Sequence, residues 1–253
     1  MDLFYGLGVL FIGLAAGVLS GAFGIGGATI TTPALRDVLG TSGYIALGTT
    51  LPVVIPTAAS GAIVYHRKKM LNYKTALVCA VPGSIAAVLA AIATRYFGGE
   101  VLMLVTAVYI AVIAVGFSMN KKPKKPVTRR DSMPLVLVIG LTAGAVSGFL
   151  GVGGGVILVP AMTMLLGFSM HEAIGTSLLT MAIYSVPGSI GHFLLGNIDV
   201  GLLIPIAAGS IFGAQLGARL AVKTGEKKLR MMFSGFLFIV AIMMAVLEIQ
   251  KLV

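Results

Sequence analysis

The chain has 253 residues, 58% of them hydrophobic and only 10% charged, with a mean hydropathy of +1.05. That leaves too little polar surface to cover a soluble globule of this length, so the chain reads as an integral membrane protein. The net charge of +10 does not mark a nucleic-acid binder, because the Lys and Arg residues sit in a few short segments instead of along amphipathic helices.

In chain order, the first element is an apolar run over 3–39, too long for one span and interrupted by "GAFGIGGATITTP" at 21–33. Asp2 stands where a signal peptide carries basic residues, and the same pattern returns in mid-chain, so the run reads as mature structure. Apolar runs at 44–65, 73–97 and 100–119 follow, each near the roughly 20 residues a helix needs to cross the hydrocarbon. Cys79 lies in the second of these; with no other cysteine it forms no intrachain disulfide and reads as a small packing residue. A basic, proline-bearing segment at 120–133 then separates a first membrane unit (1–119) from a second (134–253), and reads as a solvated cytoplasmic loop. The second unit repeats the order, with a long run at 134–167 broken by "GFLGVGGGVILVP" (148–160) and then spans at 171–195, 200–221 and 229–250.

Charge sets the expected topology. Lys and Arg collect at 67–74, 121–130 and 219–230, which the positive-inside rule places in the cytoplasm. Threading the spans through these points makes 3–39 a hairpin entered from outside and 134–167 a hairpin entered from inside. The units are then upside down relative to each other. The expected fold is an all-α polytopic membrane protein of two inverted-topology repeats, each a glycine-broken re-entrant hairpin plus three spanning helices. The letters agree: "AGVLSGAFGIGGATITTPAL" lies over "AGAVSGFLGVGGGVILVPAM", and "ALGTTL" over "AIGTSL", at the offset of 127 that sets Gly17 on Gly144. "PGSI" (82–85) matches "AGSI" (208–211) after a one-residue shift. Duplication of half the chain in a membrane protein points to a transporter whose site lies between the repeats.

At membrane depth a broken helix persists only where protein or a water-filled cavity covers it. The turn residues are Gly24, Gly26, Gly27 and Ala28 in the first unit and Gly151, Gly153, Gly154 and Gly155 in the second. Glycines in sequence permit a tight turn and the close approach of a ligand. Short helices after them, at 28–39 and 156–167, would present free N–H groups and a positive dipole end, which together make an anion site. The hydroxyls nearby are Ser20, Thr49 and Thr50, with Ser147, Thr176 and Ser177 as repeat mates; for the two serines a bond to a carbonyl one turn earlier is the competing role. No carboxylate stands in the turns or beside these hydroxyls, which is the wrong chemistry for a desolvated metal cation, and no metal or cofactor is expected.

Isolated glycines such as Gly13 and Gly140 read as helix-packing positions. His192 and Gln215 are polar residues in apolar surroundings and are the candidates for coupling, His192 because its ordinary pKa of about 6.5 suits a proton carrier. "HEAIG" at His171 lacks the second histidine of a zinc protease, and no nucleophile motif surrounds any serine, so an enzyme is not expected.

The duplicated "GxGGxxxxxP" pattern, "GTxL" at Gly48 and Gly175, "PGSI" and "GNID" resemble the sulfite exporter TauE/SafE family of membrane permeases over residues 6–247. The resemblance implies a multi-pass carrier in a prokaryotic inner membrane, moving small sulfur-containing anions such as sulfite or an organosulfonate. Combined with the repeat, it implies a secondary transporter that exports its anion by alternating access and is coupled to protons; an uncoupled anion channel of the same architecture is the alternative. The expected partners are that small anion and the lipid bilayer, with homo-oligomerisation left open. The first copy departs from the pattern at Ala28, where the second has Gly155, which predicts a less open first turn.

Overall fold

In the computed structural model, which describes residues 3–119 and 132–252, the chain is helical and the described residues contain no strand. Residues 120–131, which carry most of the predicted basic linker, lie outside the described residues. Helix α1 (Leu3–Phe23) ends at the first glycine turn and is followed by α2 (Ala28–Pro33), α3 (Gly43–Arg67), α4 (Tyr73–Ala93) and α5 (Gly99–Met119). The second half runs in the same order through α6 (Met133–Leu150), the second turn, α7 (Gly155–Met164), α8 (Met170–Leu194), α9 (Val200–Lys223) and α10 (Glu226–Leu252). Among the described residues α1, α3, α4, α6, α8 and α9 are long and apolar enough to cross a membrane. The outer faces carry large exposed apolar side chains, Val81, Ile85 and Leu89 on α4 and Phe212, Leu216 and Leu220 on α9 among them. Such faces are liabilities in water and are solvated by lipid chains, as in a polytopic membrane protein.

The helix starts are fixed by duplicated caps. Ser42 and Ser169 accept from the N–H groups of Ile45 (3.3 Å) and Glu172 (3.2 Å), starting α3 and α8. Asn72 and Asp199 do the same for α4 and α9 through Thr75 (3.0 Å) and Leu202 (3.1 Å). Each cap satisfies an N–H the helix cannot, for about 1 kcal/mol. Pro33 has no N–H to give, and after it the first short helix relaxes into a π-helical turn, Ala34–Val38.

Two glycine-lined seams bring backbones into contact. Helix α1 runs beside α9 in the same direction, and a Cβ added to Gly13, Gly17 or Gly21 would lie 2.3, 2.4 or 2.0 Å from the carbonyl oxygen of Ile206, Ser210 or Ala214. Helix α6 runs beside α4 likewise, with Gly140, Gly144 and Gly148 at 2.2, 2.1 and 2.1 Å from the carbonyls of Cys79, Gly83 and Ala87. Gly13 and Gly140 therefore serve close packing, as their isolation in the sequence suggests. The seams also correct one alignment: Gly83 occupies the place of Ser210 at the unshifted offset of 127, so the one-residue shift read from "PGSI" and "AGSI" is absent from the packing. What the seam requires at that position is a small residue, not a particular letter.

One end of the bundle gathers the α3–α4 connection, the start of α8 and the end of α9. There the Asn72 N–H donates to Thr176 Oγ1 at 3.0 Å, and His171 Nε2 faces the carbonyls of Ala221 and Thr224 at 3.1 and 3.0 Å. The opposite end gathers the start of α3 and the α4–α5 and α8–α9 connections, where the Asp199 N–H donates to Thr49 Oγ1 at 2.9 Å and Tyr44 Oη to Phe97 O at 2.6 Å. The basic clusters at 67–74 and 219–230 thus share one end, as the charge pattern predicts. Helix α1 enters from the other end and α6 from the basic end, and each returns by its short helix to the end it left. Each is a helix pair broken at a glycine turn, and α3 and α8 pack together between them.

Candidate functional site

The turns are built from glycines in the left-handed region. Gly24, Gly26 and Gly27 have φ of 69°, 81° and 76°, and Gly151, Gly153 and Gly154 have 60°, 80° and 67°. A side chain at such angles is strained, which is why the run requires glycine. The first glycine of each turn ends its helix, Gly24 N–H donating to Ser20 O at 2.7 Å and Gly151 N–H to Ser147 O at 2.9 Å. The last starts the next, Gly27 O accepting from Ile30 and Thr31 and Gly154 O from Ile157 and Leu158. Between them, the N–H groups of Gly26, Gly27 and Ala28, and of Gly153, Gly154 and Gly155, have no hydrogen-bond partner among the described residues.

The two turns meet tip to tip. A Cβ on Gly26 would lie 3.5 Å from Gly153 Cα, one on Gly153 would lie 3.0 Å from Ile25 O, and one on Gly155 only 2.1 Å from Gly24 O. Gly155 is glycine because the first turn's backbone occupies the space of its side chain. Ala28, its repeat mate, keeps its methyl fully buried.

The predicted hydroxyls divide into three groups. Thr50 and Ser177 reach across the contact: Thr50 Oγ1 donates between Gly151 O (3.2 Å) and Leu47 O (3.0 Å), and Ser177 Oγ between Gly24 O and Ile174 O (both 2.9 Å). Thr49 and Thr176, each one residue before these, bond away from the turns and accept from the N–H groups of Asp199 and Asn72. Ser20 and Ser147 are fully buried beside the turns and have no hydrogen-bond partner among the described residues, so the competing bond to a carbonyl one turn earlier is not formed. A buried hydroxyl left unmatched costs about 1–3 kcal/mol. Here the cost occurs twice, at matching positions.

His192 Nε2 lies 3.0 Å from Gly148 O, and Tyr65 Oη donates at 3.1 Å to Gly21 O, the repeat-equivalent carbonyl. A carbonyl only accepts, so Nε2 carries the hydrogen, and Nδ1 is buried without a partner. Gln215 is half-buried on α9 and makes no side-chain hydrogen bond within the described residues. No group of three or more His, Cys, Asp or Glu that could hold a metal occurs among the described residues.

Three residues at the turns escape a reading by motif. Thr29 Oγ1 donates to Val152 O at 3.4 Å, Thr32 and Thr50 hydroxyls pair at 3.0 Å, and Tyr184 Oη donates to Gly153 O at 2.6 Å. Their repeat mates are Val156, Val159 and Thr57. The signal that finds them is disagreement between the two copies, whereas a repeat search keeps agreement.

A sequence model of the family described as Sulfite exporter TauE/SafE matches residues 9–244. Relatives described as probable membrane transporter proteins include YunE of Bacillus subtilis, 24% identical over 92% of this chain and 94% of that protein. Others come from Methanocaldococcus jannaschii (21% identical, over 93% and 94%) and Haemophilus influenzae (27% identical, over 93% and 96%). No solved structure matches the chain.

Proposed function

The chain belongs to the sulfite exporter TauE/SafE family, and from that premise we propose that this membrane transporter exports a small sulfur-containing oxyanion, sulfite or an organosulfonate, across a prokaryotic plasma membrane. The carrying observation is the pairing, at both turns, of unbonded N–H groups with a fully buried, partnerless serine, with no carboxylate among the groups that bond to them. Such a lining offers unpaired N–H and hydroxyl donors and no negative charge. An oxyanion satisfies it, and a desolvated cation does not.

The two halves act as inverted repeats, which the opposite entry of α1 and α6 supports. With the tips in contact, the site opens to one side when one turn withdraws and to the other when its mate does. The same contact favours a carrier over a channel, because the tips close on each other with Ile25 and Val152 buried. Coupling is to protons, with His192 as carrier.

In proteoliposomes the parent protein should take up sulfite or sulfoacetate saturably and respond to an imposed pH gradient. Gly26→Val and Gly153→Val should each abolish that flux while the protein still inserts, since neither φ nor the facing backbone admits a branched side chain. Current that scales linearly with the anion gradient would assign a channel instead, and normal flux in both variants would place the site elsewhere.

A further inference from the structure

The two turns repeat in sequence but are not held alike. In the second, three successive carbonyls are tied back by hydroxyls, Gly151 O by Thr50, Val152 O by Thr29 and Gly153 O by Tyr184. In the first, Ser177 holds Gly24 O, and the carbonyls of Ile25 and Gly26 accept no hydrogen bond among the described residues. The difference has a packing cause. Thr57, the mate of Tyr184, is too short to reach its turn and pairs with the Ser210 hydroxyl instead. Gly83, the mate of Ser210, leaves the room that the Tyr184 ring fills, a Cβ there lying 3.1 Å from Tyr184 Cδ1.

In a trans peptide the carbonyl of one residue and the N–H of the next point in opposite directions. Tying back the carbonyls of Gly151, Val152 and Gly153 therefore fixes the N–H groups of Val152, Gly153 and Gly154, at the start of the ten-residue helix α7. Ser147 Oγ, fully buried and without a hydrogen bond at normal distance, approaches the Tyr184 hydroxyl, which itself sits against Gly154: a Cβ there would lie 2.1 Å from Tyr184 Oη. Donors fixed in advance bind an anion without the ordering cost that a loose turn incurs at that moment.

We infer that the second turn is the standing anion site, with Ser147 its side-chain ligand and Tyr184 its positioning residue, and that the first turn closes with Ser20 on an anion already bound. The ligand class is a small oxyanion with several acceptor oxygens. This inference rests on the anion-carrier reading above.

Binding of radiolabelled sulfite, sulfate and sulfoacetate to the purified full-length protein in detergent tests it, read as affinity and as sites per protein, beside flux in proteoliposomes. Ser147→Ala should weaken binding by roughly ten- to a hundredfold, the worth of a hydrogen bond to a charged group. Tyr184→Phe keeps the ring and should weaken binding about tenfold with the number of sites unchanged, where a merely structural role would lower the number of sites at unchanged affinity. Ser20→Ala should keep affinity within about threefold and slow flux. Equal weakening by Ser20→Ala and Ser147→Ala would overturn the inference, and that comparison stands even if Tyr184→Phe fails to fold. Parent-like affinity in a folded Tyr184→Phe protein would overturn it too. A parent protein that neither binds nor moves any of the three anions would instead sink the anion-carrier reading from which the inference starts.

Discussion

Tyr65 and His192 hold equivalent carbonyls with different chemistry. Both donate one hydrogen to the carbonyl of the last glycine of a seam, Gly21 or Gly148, and so both brace a hairpin where it leaves its partner helix. Tyrosine does this with nothing left over. Histidine keeps a second nitrogen, Nδ1, buried and unpartnered, able to accept a proton while Nε2–H keeps its bond. His192→Gln replaces the donor but cannot take a proton. It should retain sulfite flux down the sulfite gradient and lose its response to a pH gradient; a persisting pH response would leave His192 a brace only. At this scale the glycines, Ser20 and Ser147 were legible because their chemistry is local and duplicated. Thr49 and Thr176 read as ligands for the same reason, yet the fold uses them as acceptors for the Asp199 and Asn72 N–H groups, a role set by loops far away in sequence. Agreement between the copies did not reveal Tyr184, since its position depends on the missing side chain of Gly83 across a helix interface.

At the scale of elements, glycine has two unrelated uses in this chain, and a substitution series separates them. In the seams it lets helix backbones touch. Gly144→Ala places a methyl 2.1 Å from Gly83 O and should force α6 from α4, lowering stability by about 1–3 kcal/mol. Gly235 in α10 has nothing within 4 Å of its would-be Cβ, so Gly235→Ala should be neutral or raise stability by up to about 1 kcal/mol through helix propensity. Thermal unfolding in detergent distinguishes them, and equal effects would refute the seam assignment. The hairpins were legible from length, since runs of this size broken by glycine fit no single span. Their short helices were less so: the expected 28–39 is an α-helix only to Pro33, and the expected 156–167 runs over Gly155–Met164 although Pro160 sits inside it. A proline's effect depends on whether neighbouring helices hold the backbone it frees, which no local pattern states.

For the whole molecule, the principal packing joins one half to the other. Helix α1 lies on α9, α6 on α4, α3 on α8 and α5 on α10, while contacts inside a half are slight. Charge and hydropathy could supply the order of helices and the end at which each begins. They could not supply partners, because glycine seams look the same whether they close within a repeat or between two. On the alternating-access reading proposed above, the bodies that move would then each contain helices from both halves. A chain cut between α5 and α6, with both pieces expressed together, should assemble and transport sulfite, whereas either piece alone should be degraded; stable accumulation of a lone piece would contradict the packing described.

That crossed packing also bears on ancestry. A half-length ancestor packed in this way would have found its main helix partners only in a second copy, so on the inverted-repeat reading such a precursor would have had to enter the bilayer in both directions before fusion.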